Sequence, residues 1–578
     1  MKLLFWASAL LVSSAALAGA APQPFTTVAD LLARMTLDEK VGQMTQPARD
    51  YLTPGDITKY RLGSVLSGGG SVPWENTVQG WRKMVGGYQD EALATPLGIP
   101  ILYGVDAVHG HNNLHDATIF PHNIGLGASG DADLVFRVER ATAEELKATG
   151  IPWTFAPCVA VVQDLRWGRT YEGFSKDPTL ASKLAVAAVR GFQGDRLGDT
   201  GVTVSVKHFV ADGGTAGGQD QGDARISQDQ LDSLFLPPYA AVMPYHPGTV
   251  MASFSSINGL KMHANKDLLT GWLKESQGFD GFVISDWAAV KQLPGSSKEQ
   301  IALSINAGVD MVMVPDNYRD FIADLKADIA AGKVPLTRID DAVSRILSVK
   351  AALGLFAHPM PDSPMNLTAH QAVAREAVQK SFTLLKNDGI LPLKAGKKIL
   401  VMGPKADDVG SLCGGWTQTW QGGVGDTTAG KTVLEGLVAQ FGEANVKFSP
   451  SGLPVEGFTP DVVVFVVGEL PYAEMKGDSQ TLLPDALDLR RFNKWNDNSA
   501  NATTPLVTLV VSGRPLVINA IRNRSNAVAA LWLPGSEAAA VADVLAGTVK
   551  PTGKLPQPWP ENADQTKTVW PLGFGLTY

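Results

Sequence analysis

Eight short, mostly apolar runs of strand-forming character recur between residues 26 and about 355, each followed by a segment of helical character. They lie at 41–45, 63–66, 99–105, 153–157, 202–209, 249–254, 281–285 and 309–314. Strand-plus-helix units build a parallel sheet that is covered by helices, and eight of them suffice to close a (β/α)8 barrel. A doubly wound open sheet is the alternative, although no glycine-rich phosphate loop follows the first strand. We therefore predict a TIM-like barrel over residues 26–356.

A second α/β domain is predicted after a linker. Residues 357–368 contain three prolines and little periodicity, which is typical of a connection between domains. A helix predicted at 369–385 then begins a unit whose apolar runs are continuous, as in buried parallel strands. These runs lie at 398–403, 446–448, 462–467, 506–512 and 528–533. We expect residues 369–578 to form an α/β sandwich domain with a mostly parallel sheet.

The first twenty residues predict the cellular compartment. Lys2 precedes an apolar run over residues 3–18, and small residues occupy positions 18–20. This is the pattern of a cleavable secretory signal peptide. A membrane anchor is the alternative, but the run is short for a membrane span. We expect residues 1–20 to be a signal peptide and the mature protein to be periplasmic or secreted.

The net charge bears on the expected binding partners, and the cysteine content bears on disulfide formation. A formal net charge of −8 over 578 residues gives no reason to expect nucleic acid or an acidic membrane as a partner. The two cysteines, Cys158 and Cys413, lie far apart in the sequence with no framework of other cysteines around them. A disulfide is therefore not required, and we expect two buried free thiols.

A carboxylate follows the seventh predicted strand directly. The run 281–285 ends at Asp286, with Trp287 beside it. An N-cap for the next helix is one interpretation of this aspartate. The other is an active-site residue, because barrel enzymes build their sites at the carboxyl ends of the strands. A tryptophan next to a carboxylate suits a sugar, whose apolar face stacks on rings while its hydroxyls need polar partners.

Other polar residues follow other barrel strands. Asp106 follows the run at 99–105, Arg169 lies in the loop 164–169, and Lys207 and His208 lie near the end of the run that begins at 202. A single charge at a strand end is usually a helix cap or a loop ion pair. Four strands delivering such groups to one face form a ring of donors and acceptors that a polyhydroxylated ligand would occupy. We predict a ligand site there.

Ordered motifs along both domains carry a family resemblance. The matching segments are YGVDAVHGHNN at 103–113, IFPHN at 119–123, RWGRTYE at 166–172, KHF at 207–209, ISDW at 284–287, AREA at 374–377, LLKN at 384–387, CGGW at 413–416, GELPYAE at 468–474 and LPG at 533–535. In these segments the chain resembles glycoside hydrolase family 3, in particular its two-domain β-glucan exohydrolases and β-glucosidases. The resemblance implies an exo-acting retaining enzyme that releases glucose from the non-reducing end of β-glucosides.

The resemblance also implies a catalytic pair drawn from two domains. Asp286 matches the family nucleophile, which forms a covalent ester with the sugar. Glu474 matches the acid/base, which protonates the leaving oxygen and then activates water. Such chemistry requires one ionised and one protonated carboxyl group at the working pH. Glu469, which lies closer to the predicted strand 462–467, is the nearest rival for the acid/base role.

The remaining expectations concern the substrate. By resemblance, Asp106, Arg169, Lys207 and His208 grip the terminal glucose, and Trp287 and Trp420 sandwich the next sugar unit. Ordinary core packing is the alternative for the two tryptophans. Phe254, Gln221 and Gln292 depart from the plant relatives, which carry tyrosine, glutamate and arginine there. These departures leave the linkage preference open. The expected partners are β-linked gluco-oligosaccharides or aryl and alkyl β-glucosides.

No cofactor or metal is expected. His109, His111, His115 and His122 could suggest a metal, but their loop lacks a matching carboxylate arrangement. In the resembling family these histidines are structural.

Three other functions remain as alternatives. A β-N-acetylglucosaminidase of the same family would carry a second histidine after Lys207 and His208, where this chain reads Phe-Val-Ala-Asp-Gly. A β-xylosidase is harder to separate, because the pocket that rejects a CH₂OH group cannot be read from sequence. A non-catalytic periplasmic sugar-binding protein would leave both carboxyl groups unexplained.

Overall fold

The computed structural model describes residues 26–501 and 503–578. The predicted signal peptide, residues 1–20, lies outside the described residues. Within the described part of the chain, no helix is long and apolar enough to cross a membrane.

Eight parallel strands form a closed barrel in the first domain. They are β1 (Thr45–Gln46), β2 (Ser64–Ser67), β3 (Leu102–Val105), β4 (Trp153–Thr154), β5 (Thr203–Phe209), β6 (Thr249–Ala252), β7 (Phe282–Ile284) and β8 (Val312–Met313). Strands β2 to β7 pair in sequence order, and β8 pairs with β1. Single parallel bridges, Ala48 to Leu66 and Ile284 to Met311, join the two sheets and close the ring. The predicted barrel is thereby confirmed.

The first strand begins later than predicted. Residues 41–43 belong to the helix Leu37–Gln43, and β1 begins only at Thr45. A capping box starts this helix: Thr36 Oγ1 accepts from the Glu39 amide, and Glu39 Oε2 accepts from the Thr36 amide. This local signal outweighs the strand character of the short apolar run that follows.

Helices surround the barrel and connect its strands. Its α-helices are Val28–Arg34, Leu37–Gln43, Asp56–Tyr60, Val78–Leu93, Asn123–Ser129, Ala132–Ala148, Pro178–Gln193, Gln228–Gln230, Pro237–Val242, Ser297–Ala307, Tyr318–Ala330 and Leu336–Ala352. Wider π-type turns form Leu231–Phe235 and Asp267–Ser276. Short 3-10 turns form Arg49–Tyr51, Thr170–Glu172, Asp212–Gly214, Ala216–Gly218, Met243–Tyr245, Met262–Ala264 and Ala289–Gln292.

A six-stranded, mostly parallel sheet organises the second domain, as predicted. Its strands are β9 (Thr383–Asn387), β10 (Ile399–Met402), β11 (Val446–Ser449), β12 (Val462–Gly468), β13 (Leu506–Val511) and β14 (Ala527–Trp532). Their spatial order is β9-β14-β13-β12-β10-β11, and only β9 is antiparallel to its neighbour. The α-helices around it are Leu367–Ser381, Val409–Cys413, Val433–Phe441, Ala486–Asn496, Asn519–Arg524 and Val541–Leu545. Short 3-10 turns form Pro404–Asp407, Glu474–Gly477, Ser499–Asn501 and Ala538–Ala540.

The helix predicted at 369–385 has different ends. It runs over Leu367–Ser381, capped by Asn366, and therefore begins inside the predicted linker. Residues from Thr383 onward form the edge strand β9, which pairs with β14. Leu384 and Leu385 are buried in this sheet. Burial against a neighbouring strand therefore decides the conformation of residues whose local pattern favoured a helix.

The two domains are joined by specific contacts. Arg137 of the barrel makes two hydrogen bonds with Glu376, at 2.6 and 2.8 Å. Deeper in the interface, Ser536 Oγ accepts from the Ile119 amide at 3.1 Å. The predicted free thiols are confirmed, since Cys158 and Cys413 are both buried and unpaired with each other.

Candidate active site

A cavity of about 730 Å³ lies at the carboxyl ends of the barrel strands and is bordered by loops of the second domain. All nine predicted site residues line it: Asp106, Arg169, Lys207, His208, Phe254, Asp286, Trp287, Trp420 and Glu474. Seven of the nine come from the barrel domain, with Lys207 and His208 in β5 itself and the other five in loops, whereas Trp420 and Glu474 come from the second domain. The structure therefore brings the predicted residues together in one place.

Asp286 lies two residues beyond the end of β7 with its carboxylate largely buried. Its Oδ1 accepts a hydrogen bond from the Trp287 amide at 2.7 Å, while its own amide donates to His263 Nε2 at 3.1 Å. Oδ2 is buried without a hydrogen-bond partner among the described residues. Burial raises the pKa of Asp286 to about 6, against the opposing effect of Arg169 and Lys207. One oxygen is thus fixed by the backbone and the other is available to a ligand.

Glu474 begins a short 3-10 turn beyond β12. Its backbone has φ +55°, in the left-handed region that non-glycine residues rarely occupy. Burial raises the pKa of its carboxyl group to about 8, and the charges of Asp286, Asp220 and Glu172 act in the same direction. At neutral pH Glu474 is therefore mostly protonated, while Asp286 is mostly ionised. Environments that separate two carboxyl groups in this way are typical of acid/base catalysis.

Arg169 connects the two domains at this point. Its Nε and Nη2 donate to the two oxygens of Glu172 at 2.8 and 2.9 Å, and its Nη1 lies 3.3 Å from Glu474 Oε1. Arg169 and Glu172 are both buried. The paired carboxylate largely balances the guanidinium charge, so Arg169 orients Glu474 without forcing it to ionise.

Lys207 and Asp106 form a second charged pair deep in the cavity. Lys207 Nζ donates to Asp106 Oδ1 at 3.0 Å. The Asp106 backbone oxygen accepts from Asn112 and Asn113, both at 2.9 Å, which fixes the loop after β3. Such a fixed donor–acceptor pair can form hydrogen bonds with two adjacent hydroxyl groups of a sugar.

His208 lies beside the nucleophile candidate. Its Nδ1 is 2.7 Å from Asp212 Oδ2, and its Nε2 is 3.9 Å from Asp286 Oδ2. Burial, with the charges of Arg169 and Lys207, lowers the pKa of His208 well below its usual value. The imidazole is therefore neutral, and its Nε2 lies on the side of Asp286 Oδ2.

One cluster among the described residues has metal-ligand composition. It comprises Cys158, His208 and Asp212, all buried. Burial raises the pKa of the Cys158 thiol, so the thiolate that would bind a metal is disfavoured. His208 and Asp212 are also already hydrogen-bonded to each other. His109 and His122 instead stack at 3.6 Å between ring centroids, and burial lowers the pKa of both.

Trp287 and Trp420 stand at the exposed end of the cavity. They are 40% and 37% exposed, in contrast to the buried charged residues farther in. A glycine-rich segment after β2 lies close to both. A Cβ atom on Gly68 would lie 3.1 Å from the Trp287 ring, and one on Gly69 would lie 2.9 Å from Trp420 Cα. Glycine is therefore needed at position 69, whereas a side chain at position 68 would require a small shift of the Trp287 ring.

Gln221 and Gln292 form a neutral pair at the cavity wall. Gln292 Nε2 donates to Gln221 Oε1 at 2.8 Å, and Lys261 Nζ donates to Gln292 Oε1 at the same distance. Lys261 also donates to the Phe254 backbone oxygen at 2.7 Å. The three positions that depart from the plant relatives are thus held together in one group.

Glu469 has a different environment from Glu474. Its Oε1 accepts from Arg514 Nε at 2.9 Å, and its Oε2 accepts from Tyr472 and from the Gly513 amide at 2.9 and 3.1 Å. Glu469 does not line the cavity. Its contacts fix the loop that carries Glu474.

Several lining residues were not predicted. They include Arg49, Tyr51, Phe155, Met251, Met313, Trp416, Met475 and the glycine-rich segment 68–72. The Gly-Gly-Gly triplet at the carboxyl end of a predicted strand was an available signal for close backbone approach. Trp416 lies in the CGGW motif, and its Nε1 donates to Glu172 Oε1 at 3.1 Å.

Comparison with known proteins gives a consistent result. The glycosyl hydrolase family 3 N-terminal domain matches residues 36–349, and the C-terminal domain of the same family matches residues 382–578. A lysosomal beta glucosidase from Dictyostelium discoideum is 35% identical, over 93% of this chain and 72% of the relative. A periplasmic beta-glucosidase from Salmonella typhimurium is 33% identical, over 95% of this chain and 76% of the relative.

Solved structures agree with this assignment. The exo-1,3/1,4-beta-glucanase from a Pseudoalteromonas species superposes with a TM-score of 0.91 at 40% identity, covering 95% of this chain and 74% of that one. A beta-glucosidase from Listeria innocua in complex with laminaribiose has a TM-score of 0.83 at 28% identity, covering 95% of this chain and 83% of that one. On the match of both domains, this chain belongs to glycosyl hydrolase family 3 and is a glycoside hydrolase.

Proposed function

We propose that this protein is a retaining, exo-acting β-glucosidase that releases glucose from the non-reducing end of β-glucosides and short β-glucans. The observation that carries the proposal is a pair of carboxyl groups, of which Asp286 is buried and Glu474 is largely buried. They come from different domains, both line one cavity, and their pKa values lie at about 6 and about 8. A two-step displacement requires one carboxylate and one carboxylic acid at the same pH.

In the first step, the ionised Asp286 attacks the anomeric carbon and the glycosidic C–O bond breaks. Glu474 gives its proton to the departing oxygen, so the aglycone leaves as an alcohol. Oδ2 of Asp286, which has no hydrogen-bond partner among the described residues, is the oxygen suited to form the ester. The Trp287 amide holds Oδ1 and fixes the direction of attack.

In the second step, Glu474 is ionised and acts as the base. It takes a proton from water, the water oxygen attacks the anomeric carbon, and the ester to Asp286 breaks. Glucose leaves with its original β-configuration, and both carboxyl groups return to their starting states. Arg169, 3.3 Å from Glu474, steadies the carboxylate that exists only between the two steps.

The graded polarity of the cavity supports exo action. Lys207, His208 and Arg169, which are buried, and Asp106, which is partly buried, supply polar groups that can satisfy the hydroxyls of one terminal sugar. Trp287 and Trp420, at the exposed end, present aromatic surface to the sugar that follows. A chain end therefore enters first, and the rest of the chain points toward solvent.

The activity is tested with matched aryl β-glucoside and aryl β-xyloside substrates. We expect turnover of the glucoside and a clear preference for it over the xyloside. NMR of the first-formed sugar should show the β-anomer. The α-anomer would exclude a retaining mechanism. Absence of turnover on all aryl glycosides, with glucose still bound, would instead favour a sugar-binding protein.

We also propose that the protein acts in the periplasm or outside the cell. The support is the leader-like pattern of residues 1–20 and the likeness to a periplasmic relative. Amino-terminal sequencing of the mature protein from a periplasmic or culture fraction is the test. A mature chain that begins near residue 21 is expected, and a chain retaining residues 1–20 would contradict the proposal.

A further inference from the structure

Two carboxylates outside the catalytic pair meet at the turn that carries Glu474. Asp220 lies in the loop after β5, in the barrel domain. Asp478 lies four residues after Glu474, in the second domain. The Asp220 amide donates to Asp478 Oδ2 at 2.9 Å, so these residues connect the domains directly.

Asp478 joins the Glu474 turn to two barrel loops. Its Oδ1 accepts from the Gly168 amide at 2.9 Å, while its Oδ2 accepts from the Asp220 amide. Both carboxylate oxygens are therefore used across the domain boundary. Asparagine could accept only one of these two hydrogen bonds, because its amide nitrogen would face a second N–H donor.

The turn itself needs such external support. Glu474 has a positive φ, and its backbone oxygen packs so tightly on Gly168 that a Cβ there would lie 2.0 Å away. Arg514 Nη2 donates to the Gly477 backbone oxygen at 2.5 Å. An uncommon backbone conformation at a reacting group persists only where the surroundings hold it in place.

Asp220 contributes charge to the same place. Its Oδ1 accepts from Trp167 Nε1 at 2.9 Å, whereas its Oδ2 is buried without a hydrogen-bond partner among the described residues. The charged groups acting on Glu474 are Arg169, Asp286, Asp220 and Glu172. Burial raises the pKa of Asp220 above its ordinary value, whereas the charge of Arg169 acts in the opposite direction and favours the Asp220 carboxylate.

We propose that Asp220 and Asp478 are positioning residues for Glu474: Asp478 holds its turn against the barrel, and the negative charge of Asp220 favours its protonated form. The inference rests on the proposed acid/base role of Glu474. It adds two residues that neither touch the reacting atoms nor line the cavity.

Asp220→Asn tests the charge. The amide oxygen can still accept from Trp167, so the variant removes charge with little change in shape. We expect the basic limb of the kcat/KM–pH profile on an aryl β-glucoside to move to lower pH, because Glu474 loses its proton more easily. Asp280→Asn is the matched control, since Asp280 is exposed and precedes β7 at the opposite end of the barrel. Its profile should superimpose on that of the wild type.

Asp478→Asn tests the position. Losing one hydrogen bond of the turn should reduce kcat/KM about tenfold for an alkyl β-glucoside, whose leaving group needs protonation. A dinitrophenyl β-glucoside needs no acid and should react nearly as in the wild type. An equal loss on both substrates would show a general structural role and overturn this half of the proposal.

The outcomes separate this inference from the proposed function. If Glu474→Ala loses activity and recovers it with azide while the Asp220→Asn profile matches that of Asp280→Asn, the Asp220 half of the inference fails and the acid/base role stands. If Glu474→Ala keeps near-normal activity on the alkyl glucoside, the acid/base role itself fails. Because the Asp220 carboxylate accepts its hydrogen bond from Trp167 of its own domain, Asp220→Asn remains informative even if Asp478→Asn does not fold.

Discussion

Nη1 of Arg169, in the barrel, lies 3.3 Å from Oε1 of Glu474, in the second domain. The same guanidinium is held by the buried Glu172 of its own domain. The acid/base candidate is thus held at the cavity that Asp286 also lines, by a contact that exists only when the two domains are assembled.

Asp286→Asn should abolish turnover while preserving the fold and glucose binding. The amide can still accept from the Trp287 backbone, but it cannot form the ester. We expect kcat to fall by at least about 1,000-fold, as for loss of an essential nucleophile. Steady-state kinetics and mass spectrometry with a mechanism-based fluorosugar provide the measurement. A label attached to another residue would reject the assignment.

Glu474→Ala should lose both acid and base catalysis. On an activated aryl glucoside the first step proceeds without an acid, so the glycosyl-enzyme accumulates. Added azide should restore the rate and yield a β-glucosyl azide, identified by NMR. Glu469→Gln is the comparison variant, because Glu469 holds Arg514 and lies outside the cavity. If azide rescued the Glu469 variant and not the Glu474 variant, Glu469 would be the acid/base and Glu474 would have the structural role.

The pH profile of kcat/KM should be bell-shaped with an optimum near neutral pH. Activity needs Asp286 ionised, so it is lost as the pH falls through about 6. Activity also needs Glu474 protonated, so it is lost as the pH rises through about 8. The two limbs belong to the coupled pair rather than to isolated residues. A profile still rising above pH 9 would be inconsistent with a protonated Glu474.

Glu474→Gln should stabilise the protein at alkaline pH. The folded pKa of about 8 exceeds the ordinary value of 4.5, so wild-type stability falls as the pH rises between those values. The glutamine variant carries no such penalty. We expect its Tm to exceed that of the wild type at pH 9. The corresponding difference in the free energy of unfolding is at most about a few kcal/mol. The difference should vanish near pH 4, and calorimetry at both pH values is the check.

Trp287→Ala and Trp420→Ala should weaken the binding of disaccharides but not of the terminal glucose. Loss of a stacking ring should lower kcat/KM on laminaribiose about tenfold. Inhibition by free glucose should remain unchanged. Trp74→Ala is a matched control, since Trp74 is fully exposed and does not line the cavity. Equal effects of all three substitutions would show that Trp287 and Trp420 do not bind the second sugar unit specifically.

Much of the barrel was predictable because buried parallel strands leave a continuous apolar signature. The runs at 63–66, 202–209 and 281–285 each overlap an observed strand. The errors at 41–45 and 369–385 arose where a short apolar run fits either structure. At 41–45 a capping box starts the helix Leu37–Gln43, which includes the first three residues of the predicted strand. At 369–385 the last residues of the predicted helix pair instead with a neighbouring strand and form the edge strand β9.

The site was predictable to a similar degree. Residues at the carboxyl ends of parallel strands meet at one face whatever the loops do, which explains why Asp106, Lys207 and Asp286 line one cavity. The partners of these residues were not predictable in the same way. That Glu172 pairs with Arg169, or that Asp478 accepts from Gly168, depends on loops whose contacts are not periodic.

By itself the sequence determined where most strands lie, the chemical types at the strand ends and, through ordered motifs, the family. Each of these depends on local pattern or on residue identity. Only the tertiary structure decided that Asp286 and Glu474 share one cavity and have different pKa values. The physical reason is that desolvation and charge coupling depend on distance in space. Residues such as Asp220 and Glu474, 254 positions apart in the printed sequence, influence each other only after the domains close the site.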